Sequence, residues 1–128
     1  MYFTDQMKPL YRKNMSHFNK LPEFESEFKR LSKKYPSLYQ DLKDLEDTLI
    51  TLPTGSGKNF IVLHHNEKIK IVKARLACKS LRARSMRVIY AYHNDILTFV
   101  YIELYLKSDK ENEDKERIKE YLKNYSNK

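Results

Sequence analysis

Apolar side chains recur at three- and four-residue intervals from Pro22 to Leu52, and beyond residue 60 at every second position. The first period predicts helices and the second predicts strands. Phe24, Phe28, Leu31 and Tyr35 fall on one helical face. Pro22 suits the first turn, where its missing N–H costs no hydrogen bond. Glu23, Glu25 and Glu27 sit near the positive end of the helix dipole, and Lys29, Arg30, Lys33 and Lys34 near the negative end. Pro36 stops the helix by turning Tyr35 away from the α region. Ser37 with Gln40 three residues on has the form of a capping box for a second helix, whose stripe is Leu38, Leu42, Leu45, Leu49 and Leu52, ending at Pro53. Two such helices joined by a tight turn are expected to pair as an αα-hairpin.

The link Thr54 to Asn59 is rich in turn residues, Phe60 to Leu63 reads as a strand or an irregular edge, and His64 to Glu67 as a polar turn. Three clearer alternating runs follow. In the first, Ile69, Ile71, Lys73, Arg75 and Ala77 share one face and Val72, Ala74, Leu76 and Cys78 the other. In the second, Arg87, Ile89 and Ala91 oppose Val88, Tyr90 and Tyr92; in the third, Tyr101, Glu103, Tyr105 and Lys107 oppose Val100, Ile102, Leu104 and Leu106. If the purely apolar faces pack on the helices, Lys73, Arg75, Arg87, Glu103, Tyr105 and Lys107 collect on the outer face of a small antiparallel sheet, one face covered and one open. Ser108 with Glu111 forms a second capping box, the acidic run Asp109 to Glu116 occupies the first turns of a C-terminal helix, and Ile118, Tyr121, Leu122 and Tyr125 give that helix its stripe. The expected fold is α+β: an N-terminal helical hairpin packed on a small antiparallel sheet with a C-terminal helix. Residues 1–20 lack a clear period and read as an extension with room for a short strand near Ser16 to Leu21; residues 21–128 form the domain.

A chain of 128 residues, 41% hydrophobic and 33% charged, has the make-up of one soluble globular domain. No apolar run approaches the ~20 residues needed to span a bilayer, and Met1 to Lys20 lacks the apolar centre of a secretory signal, so a cytoplasmic location without membrane partners is expected. The single Cys78 cannot form an intrachain disulfide and reads as a small buried hydrophobe. Charge changes the picture more. Lys68 to Asn94 holds eight of the 25 Lys and Arg residues and no Asp or Glu, while the other 17 basic residues balance the 17 acidic ones. The net charge of +8 therefore belongs to this segment. A folded cationic sheet is a candidate polyanion site. Lys70 and Lys79, with Arg82 and Arg84 in the connection Ser80 to Ser85, join it as candidate RNA-binding residues. TGSGKN is no P-loop: Leu52 stands where its first Gly belongs, nothing hydroxylic follows Lys58, and a strand comes next. His64 and His65 have no further metal ligand at suitable spacing, so neither metal nor cofactor is expected.

The segments FESEFKRLSKKYPSLYQDL (24–42), KIVKARLACKS (70–80), RVIYAY (87–92) and YIELYLKSDKENEDKERI (101–118), in an order of two helices, three strands and a helix, resemble the RelE/ParE superfamily of toxins from toxin–antitoxin systems. The resemblance runs over roughly Leu21 to Tyr125. It implies one of two activities on one fold: RelE-like ribosome-dependent cleavage of mRNA, or ParE-like inhibition of gyrase. It also implies a cognate antitoxin, acidic where it touches this surface. For the RelE type it places catalytic basic residues at Lys73, Arg75 and Arg87, and another near Lys107. The RelE type further uses a Tyr where this chain has Glu113 and Asp114, which leaves the general base unassigned: either Tyr105 or Glu103 substitutes, or the chain is a catalytically weaker or differently targeted relative. Cleavage through the 2′-hydroxyl needs a base, a cation to stabilise the phosphorane and an acid for the leaving oxygen, and no metal. Plainer readings stand beside these. Glu103 can pair across the strands with Arg75 or Arg87, Tyr101 and Tyr105 can pack across strands or stack on bases, and the surface can bind RNA as a non-catalytic regulatory module.

Overall fold

The structure is a computed structural model that describes residues 17–81 and 85–126. Helix α1 (Pro22–Lys34) carries Pro at its start, Glu23 and Glu25 in its first turn and Lys33 and Lys34 in its last, and the Tyr35 N–H closes it on the Leu31 carbonyl at 2.8 Å. Helix α2 (Leu38–Thr51) follows after a short turn. The expected capping box at its start does not form. Ser37 already has helical φ and ψ (−74°, −11°) and makes no side-chain cap bond, and Gln40 donates to Asp44 at 2.9 Å instead. The reason is a buried acceptor one turn on: the Ser37 hydroxyl donates to Asp41 Oδ2 at 2.7 Å, and Asp41 is 3% exposed. The same Asp41 oxygen takes the Lys79 N–H at 3.1 Å, and the Ser80 N–H reaches the Ser37 hydroxyl at 2.8 Å. This network ties the start of α2 to the segment around Lys79 and Ser80.

Among the described residues the sheet has five strands, β1 (His17–Lys20), β2 (Phe60–His65), β3 (Ile69–Leu76), β4 (Met86–His93) and β5 (Thr98–Leu106), in the order β1-β5-β4-β3-β2. It is mixed, not antiparallel as expected, because the short strand before α1 lies parallel to β5 at one edge. His64 and His65 belong to β2, and the turn falls later, where Asn66 Oδ1 accepts the N–H groups of Lys68 and Ile69, both at 2.8 Å. Asn favours such a turn because its side chain replaces a backbone acceptor.

One sheet face carries Val72, Ala74, Leu76, Val88, Tyr90 and Leu104 against the apolar stripes of α1 and α2, as alternation predicts for β3 and β4. On β5 the parity changes. Ile89 pairs with Glu103 but Tyr90 pairs with Tyr101, so Ile102 is an extra residue, a β-bulge. Residues before it therefore face opposite to expectation. Tyr101, expected outside, is fully buried on the α1 side, stacked on Phe24 with ring centroids 4.9 Å apart and its hydroxyl donating to Glu46 at 3.0 Å. Val100 and Ile102, expected inside, turn outward.

The outer face is not open. Helix α3 (Lys115–Ser126) lays Ile118 and Tyr121 over Ile69, Ile71, Ile89, Ala91, Val100 and Ile102. That many adjacent apolar side chains require a cover. His93 is buried at this end, with Nε2 hydrogen-bonded to the Tyr121 hydroxyl and its ring 4.2 Å from that of Tyr125. The helix also starts later than expected, since Asp114 and not Ser108 accepts the third-residue N–H (Arg117, 3.0 Å). The acidic run is mostly a loop leading into α3.

Beyond Tyr101 the outer edge of β5 is met by side chains. Glu27 of α1 accepts the Leu104 N–H at 3.0 Å, Arg117 of α3 donates to the Ile102 carbonyl at 2.9 Å, and the two side chains bond each other twice at 3.0 Å. No helix among the described residues is long and apolar enough to cross a membrane.

Candidate functional site: a cationic cleft at one end of the sheet

Helix α3 covers the His93 end of the outer face; the other end belongs to the strand ends around Arg75. Pairing of β3 with β4 sets Arg75 directly opposite Arg87, and pairing of β4 with β5 sets Arg87 opposite Tyr105. At the β2 edge, Ile61 lies opposite Lys73, and the Arg75 N–H donates to the Asn59 carbonyl at 2.8 Å. Gly55, at φ +66°, turns the preceding loop back beneath the Phe60 ring, where a Cβ would collide with that ring. Lys58 is thereby delivered beside the arginines. Together Lys58, Asn59, Ile61, Lys73, Arg75 and Arg87 line an open cleft of about 260 Å³, with four cationic side chains and, among the described residues, no acid in its walls.

Directly opposed like charges on a sheet are unfavourable by roughly 0.2–1 kcal/mol. Arg75 is exposed and its side chain has no hydrogen bond or ion pair among the described residues, while the Arg87 guanidinium is steadied by the Ser85 hydroxyl and the Met86 carbonyl. Two arginines directly opposite each other on paired strands suit the oxygens of a phosphate, which each fork can grip bidentately without losing charge. Lys73 is less available: it pairs with Glu113 at 2.9 Å, both half-buried. Burial works against the ionised Glu113 carboxyl, but the Lys73 hydrogen bond, a backbone hydrogen bond and the charges of Lys73 and Lys115 outweigh it and hold its pKa below the usual value.

The remaining candidates separate. Glu103 is 1% exposed, opposite Ile89, with one oxygen held by the Lys110 ammonium and the other accepting the Asp114 N–H at 2.8 Å. The cross-strand pair with Arg75 or Arg87 is not made. Tyr105 is buried rather than open for base stacking; the Lys110 ammonium lies 5.4 Å from its ring centre, and its hydroxyl has no partner among the described residues. Burial first, then the charges of Glu113 and Glu103, push its pKa up to about 12 against the opposing pull of Arg87. Its hydroxyl is therefore protonated near neutral pH. Lys107 lies past the end of β5 and donates to the Glu111 carbonyl at 2.7 Å, outside the cleft walls. Lys70 stands opposite His65 and Tyr92, away from the arginine row, and Lys79 is exposed near Asp44. Arg82 and Arg84 lie outside the described residues. Lys58 and Asn59 are cleft residues that the turn-rich link does not single out in sequence; the signal for them is their place immediately before the edge strand. Among the described residues no group of three or more His, Cys, Asp or Glu is placed to hold a metal.

No family model matches the sequence, and no curated protein does either. The fold is similar to that of a chain in the crystal structure of the archaeal RelE–RelB complex from Pyrococcus horikoshii OT3, with a TM-score of 0.57 and 18% identity over 73% of this chain and 96% of that one. Five mixed strands with helices on both faces, and a cationic row at one end, thus sit on a RelE-like α+β fold.

Proposed function

We propose that this chain is the toxin of a toxin–antitoxin system and an mRNA endoribonuclease acting with the ribosome, cleaving through the 2′-hydroxyl without a metal. The observation that carries this reading is the Arg75–Arg87 pair, directly opposed in a cleft with no acid among its described lining residues, on a RelE-like sheet. The two forks would hold the scissile phosphate, with Lys58 beside them, and offset the negative charge that grows as the 2′-oxygen attacks phosphorus. An antitoxin with an acidic contact segment would hold the toxin inactive by occupying the same cations.

One observation favours a second reading, a non-catalytic RNA-binding module. Glu103 is committed to Lys110 and the Asp114 N–H, and Tyr105 keeps its proton, so neither is poised to accept one. The test is induced expression of the full chain with and without its neighbouring gene, followed by mapping of mRNA 5′ ends, together with RNA affinity of the purified protein. Wild type should generate new ends, and Arg87→Ala should abolish them while lowering RNA affinity ~10- to 100-fold, the effect of losing charge-assisted hydrogen bonds worth ~1.5–3 kcal/mol. Salt-dependent RNA binding without new ends would select the binding module. Full toxicity of Arg87→Ala would remove both readings and bring gyrase inhibition forward.

A further inference from the structure

Of the four cations around the cleft, Lys73 alone has an acidic partner among the described residues. Strand pairing puts it in a second row, Lys73–Ile89–Glu103, next to the row Arg75–Arg87–Tyr105. Residues two apart on a strand point to the same face about 6.7 Å from each other. Lys73 and Arg75 therefore stand side by side, one step apart on the scale of neighbouring phosphates along a nucleic-acid strand.

The acid comes from the segment between β5 and α3. After Leu106 this segment crosses back over the outer face, pinned where both oxygens of Glu103 are taken, one by the Lys110 ammonium and the other by the Asp114 N–H at 2.8 Å. The residue before Asp114 is Glu113, whose Oε1 accepts from the Lys73 ammonium at 2.9 Å. Neither side chain is sealed away: Lys73 keeps 18% of its side-chain surface exposed and Glu113 10%. The Glu113 pKa lies below its usual value despite burial, so the group is a carboxylate at neutral pH. A carboxylate and a phosphodiester each spread one negative charge over two oxygens, and an ammonium that holds the first can hold the second. Lys suits the exchange, because its point charge sits on a flexible stem that can turn between acceptors without moving β3.

We propose that Glu113 is a built-in competitor of RNA: it occupies Lys73 in the free chain, and binding transfers Lys73 to the phosphate next to the one held by Arg75 and Arg87. The proposal rests on the RNA reading of the cationic cleft. It is tested by fluorescence anisotropy of the full chain with a labelled uridine heptamer, 2′-O-methylated throughout to block cleavage, over a range of salt. Glu113→Gln should bind about 5-fold or more tightly than wild type, part of the ~10- to 100-fold that one charge-assisted contact carries. Its salt slope should steepen by about 0.7, the increment for one more single-strand phosphate. Glu111→Gln makes the same change in net charge at an exposed position of the same segment and should gain far less. Adding Lys73→Ala to Glu113→Gln should remove the gain. If Glu113→Gln does not fold, Glu113→Asp serves in its place: it keeps the charge, shortens the arm by one methylene and should also bind more tightly than wild type. A gain no larger than that of Glu111→Gln, with salt-dependent binding of wild type intact, overturns the competitor and leaves the RNA reading standing. A gain that survives Lys73→Ala overturns it as well, since the effect does not then pass through Lys73. Failure of every variant and of wild type to bind the heptamer removes both.

Discussion

The two ends of the outer sheet face are made from the same three strands yet have opposite fates. At the His93 end, Ile71, Ile89, Ala91 and Ile102 lie fully buried under α3; a few residues along, Arg75 and Arg87 border an open cleft. The difference teaches that strand alternation assigns a side chain to a face but does not say whether the face meets water or a helix. Burial was decided by where α3 lands, and its landing is fixed by Asp114, Glu103 and the Arg117–Glu27 pair.

The sharpest way to break the comparison is truncation at the covered end. Ile89→Ala should cost about 2–5 kcal/mol of stability by leaving a cavity under α3, read as a shift in the urea midpoint. A cost below ~1 kcal/mol would mean that α3 does not seal this half. Next comes pH. Burial holds the His93 pKa below its usual value, against the pull of Asp95, so the folded chain binds this proton less readily than the unfolded one. The stabilisation is fully present above the unfolded value of ~6.5 and is lost as pH falls through it. The melting temperature should therefore drop between pH 7.5 and pH 5, and the profile of His93→Phe should be flatter over that window. Parallel profiles would show that the titrating group lies elsewhere. The smallest effect belongs to the open end. Arg75→Glu replaces a like-charge pair with an ion pair opposite Arg87 and should raise stability by a few tenths to ~1 kcal/mol while weakening RNA binding. A loss of stability would show that Arg75 supports the fold.

Much of this architecture was legible before any coordinates. The stripes of α1 and α2, the Pro22 start and the faces of β3 and β4 follow from spacing alone. The bulge at Ile102 was not, because YIELYL alternates without a break and nothing local marks the extra residue; Tyr101 and Val100 consequently exchanged sides. Ser37 failed as a cap because Asp41, buried one turn on and held in place by the Lys79 N–H, competed for its hydroxyl. The Arg75–Arg87 row was readable from parity, since both lie on the same side of the bulge as each other. Lys58 was not, because its place depends on how Gly55 and the β2 edge return the loop to the sheet.

The bond between Glu27 and Arg117 joins residues 90 positions apart. During synthesis α1 and every strand emerge before Arg117 does, so the Leu104 N–H and Ile102 carbonyl have neither clamp nor cover until α3 is made. The order of translation therefore makes the last helix the step that completes both the sheet's outer layer and its β5 border. A nascent chain stalled between Leu106 and Arg117 would expose an apolar sheet face and free backbone groups at once, the two features by which unfinished chains are most readily captured by chaperones or by one another.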